Sequence, residues 1–263
     1  MSMIRPSLSV IIPAFNEAEN IGATCTEIAR VVGRHVPDYE ILVIDDASQD
    51  ETSEVVRRLQ KENSRIALVR NPVNRGLGYN YRDGIFKARC RYAIMVPGDN
   101  ELVAESLESV LREAGSSDVI ICKSENPEVR PRWRQRISNV FTGVLNFLFG
   151  LRVRYYNGPS LIRTDLAREF VPSTSSFAYM AVTLVQLLKA GATCKEMTFR
   201  LRSREFGKTK AFRPRNVINV IRDILVLFWK VQICHQVRPI ASRDPEPDFK
   251  SAPAEELGAG VGS

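Results

Sequence analysis

The chain predicts an α/β protein built on a doubly wound, mostly parallel sheet, and three observations carry that reading. Short β-branched runs alternate with helix-length segments from the start of the chain to about residue 122. Two of the runs, Leu8-Ser-Val-Ile-Ile-Pro-Ala-Phe-Asn-Glu17 and Glu40-Ile-Leu-Val-Ile-Asp-Asp-Ala-Ser-Gln-Asp50, open with the nearly continuous apolar stretch of a buried parallel strand. Both then end in polar residues, at the place where a strand's carboxyl end meets the next helix. That edge is where open α/β sheets bind ligands.

The elements follow in order. Strands are expected near 8–12, 40–45, 65–69, 92–96 and 118–122, with helices near 17–33, 51–62, 77–89 and 103–114. Asp50-Glu51-Thr52 places carboxylates in a helix's first turn, where they complement its dipole. After residue 123 the pattern changes. Residues 134–151 join a basic head to Val140-Phe-Thr-Gly-Val-Leu-Asn-Phe-Leu-Phe149, and residues 217–233 are apolar on most faces but carry Arg222 and Asp223. Neither stretch offers the ~20 uninterrupted apolar residues of a membrane span. Each fits either a core or dimer helix, or a helix lying in a membrane interface with flanking cations. From about residue 236 the chain is rich in Pro, Ala, Gly and Glu without periodicity and reads as a disordered tail.

Composition narrows the class. At 263 residues the chain can bury a full core. Met1–Pro6 lacks the apolar stretch of a secretory leader. Five cysteines without CxxC spacing read as reduced, mostly packed thiols of a cytoplasmic protein, and two isolated histidines give a structural metal little to hold. The formal charge of +7 is unevenly placed. Residues 123–154 hold seven basic side chains against Glu125 and Glu128, and 200–215 hold seven against Glu205 alone. Such runs serve as solvated faces or face an anionic surface: phosphate, acidic lipid or nucleic acid.

Further polar groups fall at strand ends. The fourth strand runs into Pro97-Gly-Asp-Asn-Glu101, two carboxylates in a short turn. Asn74-Arg-Gly-Leu-Gly78, followed by Gly84, lacks the full GxGxxG and does not follow the first strand, so dinucleotide binding is poorly supported. Arg202-Ser-Arg-Glu-Phe-Gly-Lys-Thr-Lys210 is a basic loop.

Taken together, these motifs resemble family 2 glycosyltransferases of the GT-A fold, in particular the polyprenyl-phosphate (dolichol-phosphate mannosyltransferase-like) branch. The resemblance covers roughly residues 7–215. It implies a glycosyltransferase domain over 1–210, with a nucleotide-binding half about 7–122 and an acceptor half about 123–210, then an amphipathic helix over 211–235 and a tail over 236–263. It implies that Pro13, Phe15 and Glu17 line the base and ribose of a GDP- or UDP-sugar and that Asp46 accepts a hydrogen bond from the base ring. Of Asp45 and Asp46, at least one is expected to serve only as a turn or cap.

By the same resemblance, Asp99 matches the second Asp of a metal-binding Asp-x-Asp, Pro97 stands at the first, and Glu101 is a further contact. Mg²⁺ or Mn²⁺ suits oxygen ligands completed by phosphate and water. Arg204 and Lys210 match a phosphate-contacting R-x-x-G-x-[ST]-K segment, which makes them catalytic candidates alongside Asp99. The branch's Ser-Arg after the fifth strand is shifted to Cys122-Lys123, so Lys123, with Arg134 behind it, is the acceptor-phosphate candidate. Arg154–Ser160 keeps only Gly158 of a usual motif. The helix around Phe177–Leu184 offers no carboxylate, which favours a phosphate acceptor that needs no base. The resemblance therefore implies inverting, metal-dependent transfer to a polyprenyl phosphate by a protein peripheral to the cytoplasmic membrane face, with no nucleic-acid partner. Transfer to a hydroxyl of a soluble or saccharide acceptor, or a degenerate non-catalytic member, is the alternative.

Overall fold

A computed structural model describes residues 7–202 and 214–240. Strand β1 (Ser7–Ala14) leads into helix α1 (Ala18–His35), β2 (Asp38–Asp45) into α2 (Thr52–Glu62), β3 (Ile66–Arg70) into α3 (Leu77–Lys87), and β4 (Tyr92–Met95) into a short α4 (Leu107–Arg112). Then come β5 (Val119–Ser124), α5 (Arg132–Phe149), β6 (Ser160–Arg163), α6 (Thr164–Phe170), α7 (Tyr179–Lys189), β7 (Cys194–Phe199) and α8 (Pro214–Phe228), which continues as one π-helical turn over Trp229–Ile233. The five expected strands and four expected helices are all present. Strands β6 and β7 were not expected.

The sheet runs β3-β2-β1-β4-β6-β5-β7. All neighbours are parallel except β6, which is antiparallel to both β4 and β5. Period-two alternation sends successive residues to opposite faces. On β1, Val10 and Ile12 pack on one side with Ile21, Cys25, Ile28 and Val32 of α1, while Ile11 packs on the other with α3 and α7. A helix layer thus covers each face, as parallel strands require. Gly84 allows α3 to lie close on the sheet, since a Cβ there would come within 2.5 Å of the Ile11 Cγ2.

Strand order matters for the site. From β1 the chain moves outward through β2 and β3, then returns to place β4 on the other side of β1. The crevice at the carboxyl ends of β1 and β4 is therefore a topological switch point, the position where such sheets bind ligands.

Two expectations need adjusting. Residues 236–240, expected to open the tail, make contacts with the fold: Ile240 donates its N–H to Ala190 O at 2.9 Å, and Val237 and Ile240 pack against the core. The rest of the tail lies outside the described residues. The cysteines are less uniformly packed than composition suggested, because Cys25 and Cys122 are buried whereas Cys194 and Cys234 are exposed. Burial pushes the Cys25 and Cys122 thiols up to about 12, and burial together with Glu196 pushes Cys194 to about 11. Thiolate is the reactive form. At about pH 8, Ellman's reagent should therefore modify Cys234 first and Cys194 more slowly, with Cys25 and Cys122 reacting only on unfolding, as peptide mapping would show.

Candidate functional site at the switch-point edge

Three loops meet at the carboxyl ends of β1, β2 and β4, and side-chain to backbone bonds hold them together. The β1 loop turns at Asn16, which has a left-handed backbone (φ 56). Its N–H donates to Ser48 Oγ at 2.9 Å, and its Oδ1 accepts from Gln49 N at 2.8 Å. Glu17 N donates to Thr52 Oγ1 at 2.9 Å and Ala18 N to Asp50 Oδ2 at 3.1 Å. Side chains of the β2 loop therefore satisfy amide donors at the start of α1 that a helix cannot satisfy itself. Asp50 also accepts from Thr52 N at the start of α2. Burial pulls the Asp50 pKa upward, but the bonds from Thr52 and Ala18 outweigh it and hold the carboxyl below its ordinary range.

The two aspartates ending β2 do different things. Asp45 is fully buried and accepts from Ser48 N at 2.9 Å and from the Ser53 hydroxyl, with Arg70 Nε at 3.5 Å. It is the turn-forming member of the pair. Asp46, 3% exposed, reaches the next loop instead. Its Oδ1 accepts from Asn71 Nδ2 at 2.9 Å and Arg75 N at 2.7 Å, and its Oδ2 accepts from Gly76 N at 2.9 Å. Asn71 in turn donates to Asn80 Oδ1 at 2.7 Å. The Asp46 carboxylate thus holds the 71–76 loop at three points, and the main-chain carbonyls of Asp45 and Asp46 add bonds from Asn71 N at 2.8 Å and Asn74 Nδ2 at 3.2 Å.

The β4 loop joins from the other side. Gly98 N donates to Pro13 O at 3.3 Å, and Thr24 Oγ1 to Gly98 O at 3.4 Å. Asp99 Oδ1 accepts from Glu101 N at 3.3 Å, so the two acidic side chains share one tight turn, both half-buried. Glu101 Oε2 lies 3.7 Å from Arg130 Nη2, and Arg130 Nη1 donates to Tyr155 Oη at 3.0 Å. Gln135 Nε2 bonds Arg130 O at 2.8 Å. The start of α5, which carries Arg134, is therefore tied to Glu101 through Arg130. Arg202 closes the edge: its N–H donates to Glu101 O at 2.8 Å, and its guanidinium forks onto Glu27 at 3.2 and 2.8 Å.

The structure thus brings Pro13, Phe15, Glu17, Asp46, Asp99 and Glu101 to one edge. Pro13 is buried, and Phe15 and Glu17 are half-buried. Lys123 is exposed on β5, which β6 separates from β4, and Arg134 is half-buried in the first turn of α5. Arg204 and Lys210 lie outside the described residues. Sequence reasoning missed Asn71, Arg130 and Tyr155. Arg130 was visible only as one member of a basic run, and its partner Glu101 is remote in sequence.

Asp99 and Glu101 fit a hard divalent cation in donor chemistry, because both offer carboxylate oxygen. Among the described residues no three His, Cys, Asp or Glu stand together as a metal cage. A cation held here would take its remaining ligands from a diphosphate and water, as Mg²⁺ habitually does.

Two helices near the edge present apolar faces outward. On α5, Trp133, Ile137, Val140, Val144 and Phe147 are exposed at alternating spacings of four and three, with Phe147 86% exposed. On α8 and its extension, Ile218, Ile221, Leu225, Val226 and Trp229 are exposed. Arg132, Arg136, Arg215 and Lys230 flank them. Among the described residues no helix is long and apolar enough to cross a membrane.

Comparison with known proteins bears on this edge. The profile described as "Glycosyl transferase family 2" matches residues 9–171, which takes in β1 through α6. The chain belongs to that family of glycosyltransferases. A dolichyl-phosphate β-glucosyltransferase of Trichomonas vaginalis is 27% identical over 135 residues, 47% of this chain and 42% of that one. A GalNAc(5)-diNAcBac-PP-undecaprenol β-1,3-glucosyltransferase of Campylobacter jejuni is 32% identical over 110 residues, 41% and 35% of the two chains. The matched stretch spans less than half the length of these curated relatives. Glucosyl-3-phosphoglycerate synthase of Mycobacterium tuberculosis, solved with Mn²⁺, UDP and glucosyl-3-phosphoglycerate, superposes with a TM-score of 0.60 at 14% identity, covering 86% of this chain and 79% of that one. The likeness establishes the GT-A fold.

The bonds on Asp46 yield a test. Asp46→Asn must turn an amide N–H₂ towards either the Gly76 N–H or the two donors on the other oxygen. Losing hydrogen bonds to a charged group should lower unfolding stability by about 2–3 kcal/mol in urea titrations. Asp99→Asn, at a half-exposed position, should change it by less than about 1 kcal/mol.

Proposed function

We propose that this chain transfers a sugar from a nucleoside diphosphate donor to the phosphate of a polyprenyl-type lipid, with inversion, at the cytoplasmic face of a membrane. The observation that carries the reading is the convergence of the β1, β2 and β4 loops on one edge, beside two helices whose apolar faces are uncovered. Pro13, Phe15 and Glu17 line the base and ribose. Asp46 fixes the 71–76 loop beside them, which leaves its carboxylate fewer free lone pairs for the base than the sequence alone suggested. The relative named a dolichyl-phosphate β-glucosyltransferase supports a lipid phosphate as acceptor, whereas the β-1,3 linkage in the name of the undecaprenol-linked relative favours the alternative, a sugar hydroxyl.

The chemistry follows from charge and geometry. An acceptor phosphate oxygen attacks the anomeric carbon while the bond to the nucleoside diphosphate breaks on the opposite side. The phosphate is already anionic near neutral pH, so no base must take a proton from it. Lys123 and Arg134 attract the acceptor phosphate, while Arg204 and Lys210, assigned by resemblance, neutralise phosphate charge, Arg with a fork and Lys as a point charge. A divalent ion held by Asp99 and Glu101 would stabilise the charge gathering on the departing diphosphate. Arg130, 3.7 Å from the Glu101 carboxylate, ties the start of α5 to the same turn. Positioning and charge stabilisation supply most of the rate.

Ligands that bind only the folded state raise its apparent stability. UDP or GDP with Mn²⁺ should therefore raise the melting temperature of the wild type, and Asp99→Asn should abolish the metal-dependent part. A shift of equal size in Asp99→Asn, or one that needs no metal, would remove the metal assignment. No shift with either nucleotide would favour a non-catalytic family member.

The membrane reading has its own test. Apolar burial plus attraction of about 1 kcal/mol per basic residue near an anionic surface gives reversible docking. Flotation with vesicles containing phosphatidylglycerol should carry the wild type upward, high salt should reverse it, and Phe147→Glu with Ile221→Glu should prevent it. A concentration-dependent dimer in solution that the same substitutions dissolve would assign these faces to a second copy instead.

A further inference from the structure

Helix α8 carries one carboxylate on its inner side. Asp223 sits beside the buried Ile224 and its side chain is only 12% exposed. Its Oδ2 accepts from the Thr174 hydroxyl and from Ser176 Oγ, the latter at 2.5 Å, while its Oδ1 lies 3.2 Å from Arg222 Nη2. The two hydroxyls are also acceptors inside their own loop: Ser176 N donates to Thr174 Oγ1 and Ala178 N to Ser176 Oγ, each at 3.1 Å. Asp223 therefore fixes the 174–176 loop as a unit. Removing the carboxylate alone would leave both hydroxyl donors without their acceptor, so the loop's conformation depends on it. What the carboxylate adds is a defined geometry.

That loop lies directly on the helix start below the 71–76 segment. A Cβ at Gly76, whose φ is +86, would come 2.7 Å from Ser175 O. One at Gly78 would come 2.5 Å from Thr174 O and 2.8 Å from Ser176 O. The contact is backbone against backbone, with no flexible side chain to absorb a shift. Gly76 N is in turn one of the donors on Asp46. A continuous chain of contacts thus runs from α8 through Asp223, the 174–176 loop and Gly76 to Asp46 at the end of β2.

The geometry points to Asp223 as a positioning residue for the nucleotide side of the site: from the helix with the exposed apolar face, it sets the place of the 71–76 loop. The inference rests on the proposed function in locating the nucleotide at this edge. Packed networks of this kind carry energetic coupling between distant positions. The assignment also makes α8 part of the donor pocket's framework although none of its residues belongs to the switch-point edge.

Hydrogen–deuterium exchange tests this without any ligand. In Asp223→Leu, which keeps an apolar volume but accepts no bond, the Arg75 and Gly76 amides should exchange about tenfold faster than in the wild type, while the β1 and β2 amides keep their protection. Asp223→Asn, whose carbonyl still accepts both hydroxyls, should restore slow exchange. If Asp223→Leu does not fold, Thr174→Val combined with Ser176→Ala removes the same bonds from the other partner. Unchanged exchange over residues 71–80, or exchange raised evenly across the sheet, would overturn the assignment. In parallel, UDP or GDP with Mn²⁺ should bind Asp223→Leu about tenfold more weakly and Asp223→Asn as the wild type. If the wild type binds neither nucleotide, the nucleotide reading fails while the exchange result still decides the role of Asp223.

Discussion

Carboxylates buried at the end of a strand must collect donors, and the two that end β2 collect theirs from different loops. Asp45 turns inward to Ser48 and Ser53, which shapes the β2 loop. That shaped loop then presents Ser48, Asp50 and Thr52 to the amides of Asn16, Glu17 and Ala18. Asp46 turns the other way and suspends the 71–76 segment. Three of the four N-terminal crossovers are therefore registered to one another through two adjacent side chains. An unpaired buried carboxylate would be costly, so each loop holds the others to their places. The crevice is preorganised by polar bonds and not by packing alone, which matters for a site meant to receive charged groups.

A second constraint comes from the helices that follow. A helix in a globular protein ordinarily buries one apolar stripe and exposes a polar one. Helix α5 buries only Leu145 and Phe149 fully yet exposes five large apolar residues, and α8 buries Ile224 and Leu227 while exposing a broader apolar face. Both are amphipathic with the apolar side outward. Phe149 meets Phe228 edge-on at 6.3 Å, and Gln232 bonds Leu148 O at 2.6 Å, so the two helices are joined at their C-terminal ends. Contiguous exposed apolar surface on this scale marks a contact with something other than water.

The N-terminal half was legible because its signals are local. Val10-Ile-Ile12 and Ile41-Leu-Val-Ile44 are continuous apolar runs, and the polar residues that end them mark the edge. The split of roles between Asp45 and Asp46 was also foreseeable in kind, since adjacent aspartates cannot both face the same partner. Strands β6 and β7 were not legible. Ser160-Leu-Ile-Arg163 is four residues long and Cys194–Phe199 carries Lys195, Glu196 and Thr198, so neither shows a clean period. Their strand character comes from the pairing surfaces that β4 and β5 offer, a tertiary effect that outweighs propensity. Arg130 and Asp223 were hidden for a related reason: each is defined by a partner dozens of residues away.

Strand β6 has a consequence for how the chain comes together. It is only Ser160–Arg163, yet among the described strands it alone pairs with both the β3-β2-β1-β4 group and the β5-β7 pair. A chain emerging from the ribosome can complete its first four strands by sequential crossovers, but the outer side of β4 stays bare until residue 163 has appeared. Over that interval the nascent half-sheet carries an open row of N–H and C=O groups, the kind of edge that invites pairing with another chain. The short antiparallel strand thus sets the length of a vulnerable period in synthesis as well as the continuity of the finished sheet.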